Sequence, residues 1–258
     1  MTERDDIQIG RILTRREMLV LLGASGTAAF LAACTPSALQ SLAPTASPTT
    51  AAGATASGSA LPACVVEPAL TEGPYFVDEK LQRSDIRPDP GTGAVSEGVP
   101  LDLTFAVSKV GGSSCQAYPD VLVDVWHCNA LGHYSDISSE GTLGQKFLRG
   151  YQVTDSAGKA HFTTIYPGWY QGRAVHIHFK IRSDPAASSG LEFTSQLFFD
   201  DTLSDQVFAV APYSQEGARS TRNDNDGIFQ QSNGLLTLAP SGDPTTSFST
   251  TFEVGLQV

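Results

Sequence analysis

The stretch Val175-His-Ile-His-Phe-Lys-Ile181 decides the reading of the fold. On a strand, successive side chains point to opposite faces. Val175, Ile177, Phe179 and Ile181 therefore make one apolar face, and His176, His178 and Lys180 make the other. The apolar set belongs to a core, so the two imidazoles project together into a separate space. Working outward, Pro100–Ser108 places Leu101, Leu103, Phe105 and Val107 on one side with the same period of two. Residues 121–127, 159–165, 195–199 and 250–258 behave alike, with turn chemistry between them at Lys109-Val-Gly-Gly, Asp155-Ser-Ala-Gly158 and Pro167-Gly168. From about Leu61 onward no segment has a convincing amphipathic helical pattern, and residues 214–234, rich in Asn, Asp, Ser and Gln, read as a long loop or an excursion from the sandwich. Many short strands with Gly and Pro punctuation predict an all-β domain, an antiparallel β-sandwich with long loops, over residues 61–258.

The sequence before residue 61 has a different character. Thr14-Arg15-Arg16-Glu-Met-Leu19 is a twin-arginine pattern leading into an apolar run from Met18 to Ala33, shorter than the ~20 residues a membrane-crossing helix needs. Leu31-Ala-Ala-Cys34 closes the run with small residues before a cysteine. Residues 1–33 are thus expected to be a bacterial export signal cleaved before Cys34, with Cys34 lipidated and the protein anchored outside the cytoplasm. A short anchor left in place is the other reading. Residues 34–60 carry neither charge nor aromatic ring and are expected to form a flexible tether. Three further cysteines, Cys64, Cys115 and Cys128, allow one disulfide and one thiol in an oxidising compartment. The pairing stays open, with Cys64–Cys115 favoured because Cys128 lies in a strand pattern.

Across the chain, 16 Lys and Arg stand against 27 Asp and Glu, a formal net charge of −11. Such an acidic body argues against nucleic acid or an anionic membrane surface as a partner.

A His-x-His strand alone suits cupins, copper or zinc sites, and plain water-facing histidines. The cupin pattern wants a carboxylate soon after the second histidine, and none precedes Asp184. Tyrosines sharpen the choice. Tyr134 follows a strand in Asn129-Ala-Leu-Gly-His-Tyr134, and Tyr166 and Tyr170 lie just upstream of the histidines. Phenol has an ordinary pKa of ~10, so phenolate ligation at neutral pH favours a hard, highly charged ion such as Fe(III).

Together, Val125-Trp-(x)7-Tyr134, Ile165-Tyr-Pro-Gly-Trp-Tyr170 and Arg173-Ala-Val-His-Ile-His178 resemble the intradiol ring-cleavage dioxygenases, on the side of the protocatechuate 3,4-dioxygenases and their exported relatives. Thr71-Glu-Gly-Pro-Tyr75 and Arg83-Ser-Asp-Ile-Arg87 resemble the start of that catalytic domain, and the match covers roughly residues 61–258. The resemblance implies a β-sandwich that binds Fe(III) and opens a catechol with O2 to a cis,cis-muconate. By motif it assigns Tyr134, Tyr170, His176 and His178 as metal ligands, Tyr166 being the alternative to Tyr170. Tyr170 is also expected to take a substrate proton, Arg173 to steady negative charge on the ring, and Gln196 to hold Arg173. Trp126 is expected to pack beside the site, and His127, His133 and His161 to be structural or solvent-facing. The helical dimerisation segment of catechol 1,2-dioxygenases has no counterpart in residues 35–62, and Gly172 stands where protocatechuate enzymes carry a bulkier aromatic. A non-catalytic lipoprotein that binds aromatics through the same sandwich, and a copper or zinc enzyme, are the competing readings.

Overall fold

Strand β1 (Pro100–Gly111) buries Leu101, Leu103, Phe105 and Val107 and turns its alternate residues outward, as the period of two requires. The structure is a computed structural model that describes residues 67–111, 114–183 and 190–257. One sheet is built around β1. It pairs in parallel with β10 (Phe248–Gln257) along one edge. Along the other edge it pairs antiparallel with β5 (Lys159–Ile165) and then with β2 (Ser114–Ala117). The short β9 (Ser241–Gly242) extends β10.

The second sheet runs β4 (Arg149–Val153), β3 (Leu122–Trp126), β6 (His176–Arg182), β7 (Glu192–Phe199) and β8 (Thr237–Leu238). All its pairings are antiparallel except β7 with β8. The sandwich is as expected, but its sheets are mixed: the terminal β10 returns beside β1 in the same direction, which strand patterns alone do not reveal.

Phe179 of the second sheet meets Phe105 and Phe252 of the first, with ring centroids 5.2 and 5.6 Å apart. These rings fasten the two inner faces together, and such aromatic contacts add to what burial of their area contributes. Residues 81–86 close one side of the sandwich. Tyr151 donates to Leu81 O and Arg83 to Tyr151 O, while Thr163 donates to Ser84 O and Ile86 to Thr163 O. This segment therefore caps the edges of β4 and β5 at once and leaves neither free for pairing with another chain.

Among the described residues two short helices depart from the expectation of none. Helix α1 (Asp201–Val207) and helix α2 (Gly227–Ser232) are each capped by an aspartate, Asp200 and Asp226, that accepts two main-chain N–H groups. At seven and six residues they are too short for an amphipathic period to show. Helix α2 falls inside the stretch expected to be a loop. Cys115 is disulfide-bonded and Cys128 is a buried free thiol. The export signal, the tether and Cys64 lie outside the described residues.

Candidate metal centre

Every residue of β6 is buried, on both faces. The inner face packs in the sandwich. The outer face carries His176, His178, Lys180 and Arg182, and residues 67–80 lie over it as a strap. The strap is tied down at Leu70, which donates to Thr194 O, and at Thr71, whose carbonyl accepts from Gln196 Nε2 at 2.8 Å. Phe76 packs on Trp126 at 4.8 Å and receives Lys180 Nζ over its ring. The far end of this face is ionic: Arg182 forks onto Asp124 at 2.9 and 2.8 Å. The near end holds the histidines.

Four donors meet there. His176 Nε2 lies 3.0 Å from His178 Nε2, 3.2 Å from Tyr170 Oη and 3.4 Å from Tyr134 Oη. Both histidines come from β6. Tyr134 comes from the loop after β3, and Tyr170 from the loop between β5 and β6. Close backbone contact locks these two loops together: a Cβ on Gly132 would stand 2.2 Å from Trp169 O, and one on Gly168 would stand 2.3 Å from Asn129 O. Arg149 adds a second tie, donating to Ser135 O beside Tyr134 and to Tyr75 O in the strap. Tyr75 then stacks on Tyr134, centroids 4.3 Å apart.

Protonation follows from these contacts. His176 Nδ1 sits 2.6 Å from Ala174 O, and a carbonyl only accepts, so the ring proton is on Nδ1 and Nε2 presents a lone pair. Burial first, then the positive charge of Arg173, pulls His176 down to about 3. Burial and the neighbouring His176 hold His178 well below the usual range. Both imidazoles are therefore neutral. Burial pushes both phenols up, and for Tyr134 the nearby Tyr170 adds to the effect. Two nitrogen lone pairs facing each other at 3.0 Å repel unless a proton or a cation lies between them. His178 Nδ1 has no hydrogen-bond partner among the described residues, so its proton can move to either nitrogen without losing one.

This donor set fits a hard cation. Among the described residues no group of three or more histidine, cysteine or carboxylate side chains is arranged to hold a metal. Only with the phenols does the count reach four, and phenolate selects for high charge.

Arg173 stands at the rim, its Nη1 3.4 Å from His176 Nε2, and donates through Nη2 to Gln196 Oε1. Gln196 lies opposite His178 in the β6–β7 register, as Trp126 does in the β3–β6 register. Trp126 stacks flat on His178 at 4.9 Å, the packing role expected of it. Tyr166 is excluded from the group: it is fully buried elsewhere, with its hydroxyl 2.7 Å from Ser204 Oγ. His127 is structural, donating to Cys128 O at 2.8 Å and accepting from Thr164 Oγ1 at 2.7 Å. His133 and His161 are exposed, as expected. Gly172 is exposed at φ 87°, and an added Cβ there meets nothing within 4 Å, so this edge of the loop is open.

Two contributors were not visible in the sequence reading. Tyr75 lies in the Thr71–Tyr75 motif, whose spacing assigns it no role. Asp226 was lost in the polar stretch 214–234, although Asp226-Gly-Ile-Phe229 is a recognisable helix start.

Known proteins resemble the chain in sequence and in fold. Catechol 1,2-dioxygenase 1 of Acinetobacter lwoffii is 27% identical over 160 residues, 52% of this chain and 49% of that protein. The protocatechuate 3,4-dioxygenase beta chain of Burkholderia cepacia is 30% identical over 141 residues, 50% of this chain and 57% of that one. The chain thus spans about half the length of these curated relatives. An intradiol ring-cleavage dioxygenase from Tetranychus urticae superposes with a TM-score of 0.64 at 28% identity, covering 75% of this chain and 94% of that one. The family model described as "Dioxygenase" matches residues 71–235. The chain belongs to this family, the intradiol ring-cleavage dioxygenases.

Proposed function

We propose that the chain cleaves the bond between the two hydroxylated carbons of a catechol-type diol with O2, one oxygen atom entering each new carboxyl group to give a cis,cis-muconate-type product, with Fe(III) held by Tyr134, Tyr170, His176 and His178. The observation that carries this reading is the approach of two phenol oxygens and a second imidazole to within 3.4 Å of His176 Nε2. When bound, a ferric ion supplies Lewis acidity toward phenols and diols and a template on which the diol and O2 meet.

The protein's own groups have separable tasks. Tyr134 is wholly buried and stacked under Tyr75, which keeps water from that side of the centre. Tyr170 is the more exposed phenol, so its Oη, as the phenolate that a bound ferric ion would favour, is the group to receive a proton from an incoming diol. Arg173 offers an N–H beside the centre, where it stabilises negative charge as it develops on the ring. Gln196 holds the other end of that guanidinium and is itself held by Thr71 O.

The direct test is O2 uptake by the iron-loaded full chain over a panel of catechols. One O2 consumed per diol, with a ring-opened dicarboxylate as product, is expected. An iron-replete protein that opens none of them contradicts the reading.

We further propose that residues 61–258 act outside the cytoplasm, tethered by residues 34–60 to lipid on Cys34. Support comes from Arg15-Arg16 and the Leu31-Ala-Ala-Cys34 motif. Cys34→Ala is expected to move the protein from the membrane fraction to the soluble one, and retention in the membrane would argue otherwise.

A further inference from the structure

Two guanidinium groups border the four donors; one is spent on neutral acceptors and the other on a carboxylate. Arg149 is 2% exposed and directs its N–H groups at Ser135 and at Tyr75 O. Arg173 faces the centre, but its Nε donates to Asp226 Oδ2 at 3.0 Å. Asp226 is 2% exposed and fully engaged. Oδ2 also accepts from Ala174 N at 2.7 Å, while Oδ1 accepts from Ile228 N and Phe229 N at the start of α2. Burial opposes its charge, yet Ala174 N–H, Arg173 and the helix N–H groups hold its carboxyl below the usual range. Farther along the same face Lys180 is paired with Glu72 and Glu192, and Arg182 with Asp124 and Asp78. Glu72 adjoins Gly73, where a Cβ would lie 3.3 Å from the His178 ring. Each of these cations faces a carboxylate or main-chain carbonyls.

We infer that Asp226 fixes both the position and the effective charge of Arg173, so that this centre takes uncharged catechol-type diols in preference to diols bearing a carboxylate. The inference rests on the proposed function and specifies the substrate class of that same site. A carboxylate entering the site loses water and needs a counter-charge in return. The Arg173–Asp226 pair is already neutral, and farther along the face Glu72 and Glu192 share the single ammonium of Lys180, leaving a surplus of the wrong sign. One unit charge acting over some 8 Å at an effective dielectric near 20 changes affinity by roughly ten- to thirty-fold.

The test uses the iron-loaded full chain with 4-methylcatechol and 3,4-dihydroxybenzoate, diols of similar size that differ in charge. Anaerobic affinities and kcat/KM are both measured. The wild type is expected to bind the carboxylated diol about ten-fold more weakly or worse. Asp226→Asn removes the negative charge, keeps an acceptor oxygen, and should narrow that gap about ten-fold, through KM rather than kcat. If Asp226→Asn does not fold, Arg173→Gln serves instead, and the unpaired Asp226 should widen the gap. A wild type that binds the two diols equally overturns the inference while leaving the proposed function intact. So does an Asp226→Asn protein slower on both diols with an unchanged ratio, which is the mark of a purely structural role. A wild type that opens neither diol fails the functional reading, and the anaerobic affinities still decide the selectivity.

Discussion

His176 shows how far one residue's surroundings set its chemistry. Its Nδ1 proton is committed to Ala174 O, which aims the Nε2 lone pair at Tyr134, Tyr170 and His178. The pair of histidines was legible because a strand's period of two puts i and i+2 on one face. The tyrosines were legible only by resemblance, since nothing in their own spacing says which of Tyr166 and Tyr170 turns inward. The structure separates them, and mutation should as well. Tyr166→Phe removes a hydroxyl bonded to Ser204 and should lower stability by about 1 kcal/mol in denaturant titration, leaving metal content unchanged. Gln196→Leu frees one end of Arg173 and should lower kcat/KM, or metal affinity, by roughly 10–100-fold. A Gln196→Leu enzyme with wild-type kinetics and metal affinity would show that Arg173 needs no such support.

At the scale of elements, the apolar alternation located β1, β3, β5, β6, β7 and β10 to within a few residues. It missed β4, whose Arg149-Gly-Tyr-Gln-Val153 is polar or half-buried because residues 81–86 cover its edge. It also missed the strap of residues 67–80, which has no period of its own and is held by long-range main-chain and side-chain contacts made only after folding. Glu67, at the start of the strap, is buried with Oε2 unpartnered among the described residues, and burial raises its carboxyl to about 7. An acid with a raised folded pKa binds more protons folded than unfolded. Its presence should therefore cost stability progressively as pH rises from about 4.5 to about 7, and no further above that. Glu67→Gln should melt at the wild-type temperature near pH 4 and above it at pH 8. Melting curves that stay superimposed at pH 8 would show that this carboxyl is not desolvated.

For the whole molecule, the same strand serves two purposes: β6 gives one face to the sandwich core and the other to the candidate metal centre. Phe179 anchors the first, between Phe105 and Phe252. Phe179→Ala should cost about 3–5 kcal/mol of unfolding free energy, and His178 next to it should lose its alignment as the strand loosens. The parallel return of β10 beside β1 was the part of the architecture that composition and patterning could not show, because pairing direction depends on the path between strands. The proposed ligation of one ferric ion by two phenols and two imidazoles is read out by the visible absorption spectrum of the iron-loaded full chain, wild type beside Tyr134→Phe. Phenolate bound to Fe(III) colours a protein strongly, so a broad visible charge-transfer band is expected that weakens sharply in the variant. A wild type that binds iron yet is colourless, or a Tyr134→Phe protein with the band unchanged, would contradict it.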